Sequence, residues 1–232
     1  STLFPYTTLF RSRTGQMCGI VGLFLKDTSL QPELGRHLAT MLDVMCDRGP
    51  DSAGFAVYGD GRPDQIKITV RADDAGASLA ALAEDLSREI GASVGHAGHD
   101  RHSVLLLPAE HAQAARSFIE KRTDFVIVGS GRFMEIFKGV GSPQKVSRDF
   151  GLIAMSGTHG IGHTRMATES AVTVDGSHPY STGLDQCLVH NGSLSNHNDW
   201  RRKLVRKGLY FQTENDSEVA AGYLTWRLSD RF

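Results

Sequence analysis

The chain has 232 residues, 40% hydrophobic and 22% charged. That is enough apolar material for one large packed domain or two small ones, and too much for a disordered chain. Lys plus Arg number 25 against 26 Asp plus Glu, so no basic excess exists to neutralise phosphates, and composition argues against a nucleic-acid partner. The longest apolar runs, such as Val104 to Leu107, are too short to span a bilayer. Cys18, Cys46 and Cys187 are odd in number and widely spaced, which argues against a disulfide framework and favours a reducing cytoplasm.

Residues 1–16, STLFPYTTLFRSRTGQ, precede Met17 and lack the apolar core of a secretory signal. Leu3 to Ser12 resembles the translation of a sequencing adapter, so Met17 is the expected start; a short propeptide is the competing reading. Ile20 to Leu25 reads as a buried strand, and Leu34, Leu38, Met41, Leu42 and Met45 follow helical spacing over 33–46. Cys46 then reads as a core thiol. Phe55 to Tyr58 is the next strand.

Residues 62–150 read as an inserted module of order β-α-β-α-β-β. Its strands are Ile66 to Val70, Val104 to Leu107, and a hairpin of Phe125 to Val128 and Phe133 to Phe137 turning at Ser130-Gly131. Its helices carry Leu79, Leu82, Leu86 and Ile90, then 109–121. Gly129-x-Gly131 reads as a turn, since a dinucleotide loop would precede a helix. His96, His99 and His102 sit in the glycine-containing string GHAGHDRH and read as a solvated turn rather than a metal site. Residues 157–192 are dense in Gly, His, Thr and Asn and read as loops that carry function. Helices are expected over 196–207, with Trp200 and Leu204 on one face, and over 216–228, with Val219, Tyr223 and Leu224 inward. Asn215 is the expected N-cap of the latter, with Glu218 three positions on. The chain ends soon after this helix, which reads as a C-terminal truncation.

Five segments hold chemistry: Met17-Cys18-Gly19-Ile20, Arg48 to Gly54, Gly162 to Thr168, His190-Asn191-Gly192 and Asn215 to Glu218. Each has a plain structural reading by itself. Cys18 could be a buried strand residue, the Arg48 segment a turn, Arg165 an ion-pair former, Asn191-Gly192 a hairpin turn and Asp216 a helix-end charge. Together and in this order they resemble the class II glutamine amidotransferases, which are N-terminal-nucleophile hydrolases. The resemblance covers 17–60 and 151–226. It implies an α+β fold, a four-layer αββα sandwich, with 17–61 and 151–232 as the amidotransferase domain, C-terminally incomplete, and 62–150 as a small α+β insertion. The run MATESAV and the later HNGSLSNHN are similar to the glutamate synthase branch, which includes the amidotransferase-type subunit of N-methylglutamate synthase. Met166 and Glu169 depart from the sugar-phosphate branch.

The resemblance implies that Cys18 is the nucleophile, its own α-amine the base, and Asn191 with the Gly192 N–H the stabilisers of the oxyanion. It assigns Arg165 to the α-carboxylate of L-glutamine, Asp216 to its α-ammonium, and Thr168 a supporting contact. The Arg48 to Asp51 turn is expected to support the site. No cofactor and no metal are expected in this chain. The implied partner is a synthase subunit, in some branches flavin-dependent, that consumes the ammonia. Two other readings stand beside this one: a catalytically silent assembly or regulatory subunit, and an autoproteolytic amidohydrolase of the same superfamily.

Overall fold

The computed structural model describes residues 18–74, 76–99, 101–167 and 171–229. Strands β1 (Gly19–Phe24), β2 (Ser52–Tyr58), β7 (Met134–Val140) and β8 (His159–Arg165) form an antiparallel sheet in the order β1-β8-β2-β7. Helix α1 (Leu34–Val44) covers one face, because Leu34, Leu38 and Leu42 recur at four-residue spacing and are essentially fully buried. Each such leucine contributes about 2 kcal/mol by leaving water. They meet Val21, Phe55, Phe137, Val146 and Phe150.

The sheet position under α1 is built from glycine. A Cβ on Gly160 or on Gly162 would lie 2.8 Å from Leu38 or Leu42 respectively, so both residues are hydrogen-only to let the helix down onto β8. This corrects the expectation of loop at 159–165: the strand is real, but its helix-facing side carries no apolar side chain, so it shows no hydrophobic alternation. Helix α4 (Pro143–Asp149) was also not expected. It begins with a Ser142 cap that accepts from the Lys145 N–H at 3.3 Å, followed by Pro143 in the first turn. Seven residues are too few to display a period.

A second antiparallel sheet contains β3 (Gln65–Ala72), β4 (Gly95–His99), β5 (His102–Pro108) and β6 (Phe125–Gly131), ordered β4-β5-β3-β6. With α2 (Leu79–Ile90) and α3 (Ala112–Glu120), the chain order is β-α-β-β-α-β, a split βαβ arrangement. One face of this sheet, with Ile66, Ile68, Val70, Leu105 and Leu107, packs on Leu82, Leu86, Ala115 and Ile119. The other face closes the free edge of β7, where an exposed ladder would invite foreign strands. Thr69 Oγ1 accepts from the Ile136 N–H at 3.5 Å, and Lys67 pairs with Glu135 at 2.6 Å.

Three sequence expectations change here. Within the GHAGHDRH string, residues 95–99 form β4 and pair with β5 rather than forming a loose turn; His96 is exposed and His102 is buried. β7 and α4 belong to the first sheet, so the second sheet and its helices end at Gly131 rather than at 150. The expected 125–137 hairpin is a crossover: β6 pairs with β3 and β7 with β2, while Gly129 and Gly131 lie inside β6.

The crossover is held by one carboxylate. Asp185, at φ 52°, accepts from the N–H groups of Arg132 at 2.9 Å, Phe133 at 2.8 Å and Met134 at 3.1 Å. Asp185→Ala is expected to lower stability by about 2 kcal/mol, since these donors lose their acceptor and two lie near the surface where water replaces part of it. Asp185→Asn, which keeps one acceptor oxygen, should lose less. Urea unfolding curves check this; an unchanged midpoint for the alanine variant counts against it.

Strands β9 (Tyr180–Gly183) and β10 (Gln186–Leu188) form a ribbon over the face of the first sheet opposite α1. Cys187 packs there with the Ala56, Val128, Met134 and Ile136 cluster. Helix α6 (Asp216–Ser229) lies on the ribbon and α5 (His197–Val205) lies on α6. Asn215 caps α6 by accepting from the Ser217 N–H at 2.8 Å, but Glu218 does not close a capping box. Its carboxylate turns to Gln212 and Thr213 instead. Tyr223 and Leu224, expected inward, remain more than one-third exposed at 37% and 38%, while Val219, Ala221 and Gly222 are buried. Among the described residues no helix is long and apolar enough to cross a membrane.

Candidate functional site

Cys18 stands at the entry to β1, half-buried. The next residue is locked in place: Gly19 pairs with Thr164 across β8, its N–H donates to Thr164 Oγ1 at 3.2 Å, and that hydroxyl donates to the Met45 carbonyl at 3.1 Å. The thiol lies against the backbone of Met166, whose N–H donates to Sγ at 3.4 Å. Asn191, 173 residues away in sequence, donates its amide Nδ2 to the Cys18 carbonyl at 2.7 Å.

Arg165 is the last residue of β8, directly before the Met166 that touches the thiol. One guanidinium nitrogen, Nη1, donates to the Ala171 carbonyl at 3.2 Å. The backbone of this stretch is braced by the segment after α1. The Asp51 N–H donates to the Arg165 carbonyl at 3.1 Å, and the Asp51 carboxylate accepts from the Ala167 N–H at 2.8 Å. Gly49 lies so close that a Cβ on it would sit 2.5 Å from the Thr164 carbonyl carbon. Asp51 and Gly49 therefore hold backbone, as the sequence reading expects of a support beneath the site.

Asp216 opens α6, and its Oδ2 accepts from the Leu194 N–H at 2.6 Å. The Ser217 hydroxyl donates to Asp216 Oδ1 at 3.3 Å and lies 3.2 Å from His190 Nδ1. The 190–194 segment thus joins the Cys18 carbonyl at one end to the α6 N-terminus at the other. Gly192 within it is exposed. A Cβ there would be 2.9 Å from His190 Nε2. The structure brings Cys18, Asn191, Arg165 and Asp216 into one connected neighbourhood; Thr168 lies outside the described residues.

Several buried polar groups surround this neighbourhood: Lys138, His178 and Tyr180 stand outside the five sequence segments, whereas His163 and Glu218 lie inside two of them with no assigned part in the chemistry. His163 and His178 pack with ring centroids 4.2 Å apart and planes tilted by 31°, and Tyr180 meets His178 edge-on at 4.9 Å. Burial holds the His163 imidazole down at about 4 and that of His178 at about 2, so both are neutral near pH 7. Burial likewise lowers the Lys138 ammonium to about 8, against the pull of Asp175 and Glu218. Lys138 sits 4.8 Å over the Tyr180 ring. The Glu218 carboxylate accepts from the Gln212 and Thr213 N–H groups, each at 2.8 Å, and from the Thr213 hydroxyl at 2.7 Å. Lys138, His163 and Tyr180 lie in strands, His178 in the loop before β9 and Glu218 in α6, and a polar residue type by itself does not distinguish inward from outward. Among the described residues no group of three or more His, Cys, Asp and Glu is placed to hold a metal.

The arrangement offers a thiol at a strand entry, an amide donor beside it, a guanidinium and a carboxylate. The chain belongs to the glutamine amidotransferase family. Residues 163–231 match the glutamine amidotransferase domain model. Over 210 residues the chain is 52% identical to the glutamine amidotransferase-like protein GlxB of Rhizobium meliloti (strain 1021), covering 90% of this chain and 69% of that protein. Over 97 residues it is 35% identical to the isomerizing glutamine–fructose-6-phosphate aminotransferase of Thermococcus kodakarensis, a match covering 41% of this chain and 16% of that enzyme.

Proposed function

We propose that this protein is the glutaminase component of a class II amidotransferase, hydrolysing L-glutamine to glutamate and ammonia with Cys18 as an N-terminal nucleophile. The observation that carries the reading is the contact of Asn191 with Cys18 at 2.7 Å, which joins the two family segments expected to share the reacting carbonyl. With Cys18 first in the chain, its α-amine, of pKa about 8 in unperturbed form, takes the thiol proton. The thiolate attacks the side-chain amide carbon of glutamine. The oxyanion so formed takes N–H donors from Asn191 and the Gly192 backbone; an amide nitrogen carries two N–H groups, so Asn191 can keep its Cys18 contact while donating to the oxyanion. Collapse expels ammonia, protonated by the α-ammonium, and leaves a γ-glutamyl thioester. Water, deprotonated by the same amine, hydrolyses the thioester to glutamate and restores the thiol.

Arg165 is assigned to the α-carboxylate, Asp216 to the α-ammonium, and Thr168 to a supporting contact. The layering of α1 and α4, the first sheet, the β9–β10 ribbon and α6 supports an αββα plan of the N-terminal-nucleophile type. In the same reading the 65–131 unit is an insertion into the amidotransferase domain. The ammonia acceptor belongs to a synthase partner of the glutamate synthase or N-methylglutamate synthase type, in the cytoplasm, and this chain carries no cofactor of its own. Ammonia released to water would be protonated and lost as a nucleophile, which favours delivery within a complex.

The test is glutamine hydrolysis by the chain with Cys18 first, followed as glutamate and ammonia release. Cys18→Ala should abolish it, and Asn191→Ala should lower kcat by about 10² to 10³. Arg165→Lys keeps charge but loses the bidentate fork, and Asp216→Asn loses the countercharge; each is expected to raise KM for glutamine about tenfold or more. A wild-type KM in either variant would remove that residue from substrate binding.

A further inference from the structure

The turn after β8 is built largely from its own backbone and side chains. The Gly176 N–H donates to Thr173 Oγ1 at 3.0 Å, the Ser177 N–H to the Val174 carbonyl at 3.0 Å and the Ser177 hydroxyl to the Thr173 carbonyl at 2.9 Å. These bonds make 173–177 a stiff unit. One side of it faces Arg165: the space beside Gly176 is closed by Arg165 Nη1, 3.2 Å from where a Cβ would stand, and Nη1 also holds the Ala171 carbonyl. The other side reaches the second sheet. Asp175 Oδ1 accepts from Arg71 Nη2 at 2.7 Å, and the Asp175 carbonyl accepts from the Tyr180 hydroxyl at 3.0 Å.

Arg71 lies on β3, 6% exposed, and its other terminal nitrogen donates to Asp73 at 2.7 Å. One guanidinium is therefore shared between a carboxylate just past the end of its own strand and a carboxylate on the turn beside Arg165. A planar fork with two separated donors fits this. The two carboxylates are equally exposed, at 50% for Asp73 and 47% for Asp175.

We propose that Arg71 is a positioning residue for glutamine binding, acting through Asp175 to fix the 171–177 turn against Arg165. The inference rests on the assignment of Arg165 to the substrate carboxylate given above. It also gives the 65–131 unit a part in the reaction, since it anchors the turn that frames the substrate arginine. Misplacing Arg165 weakens ground-state binding of the free amino acid while leaving the thiol, the amine and the oxyanion donors in place.

The two aspartates supply the control. Asp73→Asn and Asp175→Asn each take one carboxylate from the same guanidinium at the same exposure, so a purely structural role predicts equal effects. With the full chain cleaved to expose Cys18, Asp175→Asn and Arg71→Met are expected to raise KM for glutamine about fivefold or more, with kcat within about twofold. Asp73→Asn should leave KM within about twofold. The double variant Arg71→Met with Asp175→Asn should be no worse in KM than the poorer single one, because both break the same link. Asp175→Glu, which keeps the charge, should recover part of the affinity. Melting temperatures measured alongside show whether Arg71→Met still folds; Asp175→Asn alters only a half-exposed carboxylate and keeps the test open if it does not. Equal KM changes for the two aspartate variants, or a wild-type KM for Asp175→Asn in an active chain, would overturn the proposal while leaving the family chemistry standing. A wild-type chain that neither binds nor hydrolyses glutamine would overturn both.

Discussion

A full chain carrying a specific protease site directly before Cys18 is expected to hydrolyse glutamine only after it is cut. Before cleavage the nitrogen of Cys18 is part of a peptide bond and cannot accept a proton at neutral pH. After cleavage it is an α-amine of pKa about 8, poised to take the proton of the thiol beside it. Removing a positioned base typically costs 10² to 10⁴ in rate, so the cut should raise turnover by about that factor. Cys18→Ala should be inactive before and after. The surroundings of Cys18 need not change on cleavage, because Gly19 is held by Thr164 and the Cys18 carbonyl by Asn191 on the C-terminal side of the bond that is cut. Equal turnover before and after cleavage would sink the self-base mechanism. Glutamine binding with no hydrolysis in either state would favour a subunit that keeps the fold and has given up the chemistry.

Acid should unfold the chain well before most carboxylates titrate. His102, His163 and His178 are buried, and each has at least one ring nitrogen without a hydrogen-bond partner. Burial, reinforced by Arg71 and Lys138, holds the His102 imidazole at about 3, and the other two lie at about 4 and 2 against an ordinary value of 6.5. The folded pKa values are depressed, so below pH 6.5 the unfolded chain takes up protons that the folded chain refuses. The stability these neutral rings permit is complete above 6.5 and is lost as pH falls toward the folded values. Each ring costs about 1.4 kcal/mol per pH unit in that window, or about 4 kcal/mol per unit for three. Between pH 6.5 and 5 the loss is on the order of 5 kcal/mol, comparable with the whole stability of a typical domain. Urea unfolding at pH 7, 6 and 5 measures it; a stability that stays flat over that range would refute the account. His102→Phe should cut the slope by about a third and shift the acid transition downward. Phenylalanine suits the site, since the His102 ring already lies edge-on to Phe150 at 4.8 Å and near Phe137 at 6.3 Å.

The two cases show which residues declare themselves in a sequence. Cys18, Arg165, Asn191 and Asp216 stand out as candidates because their residue type, order and spacing carry the family resemblance. The burial of the three histidines does not stand out, because neither a strand residue such as His102 or His163 nor a loop residue such as His178 declares locally whether it faces solvent or core. Helix α1 was legible from its own leucines, since a 3.6-residue period is a local property. Strand β8 was not: its helix-facing positions are glycines whose purpose is set by Leu38 and Leu42, more than a hundred residues earlier. The β6–β7 segment looked like a hairpin because adjacent apolar runs around Ser-Gly are the local signature of one. Only the tertiary structure sends the two strands into different sheets, with Asp185 arriving from the far end of the chain to hold the crossover.

The sequence by itself determined the family, the helical stretches with a strong apolar period and the residue types available for chemistry. The tertiary structure decided the partnerships: Asn191 on the Cys18 carbonyl, Asp51 beneath Arg165, and Arg71 across to Asp175. The physical reason is range. Periodicity and capping are written within a few residues, whereas strand pairing and buried charge depend on which distant segments exclude water together.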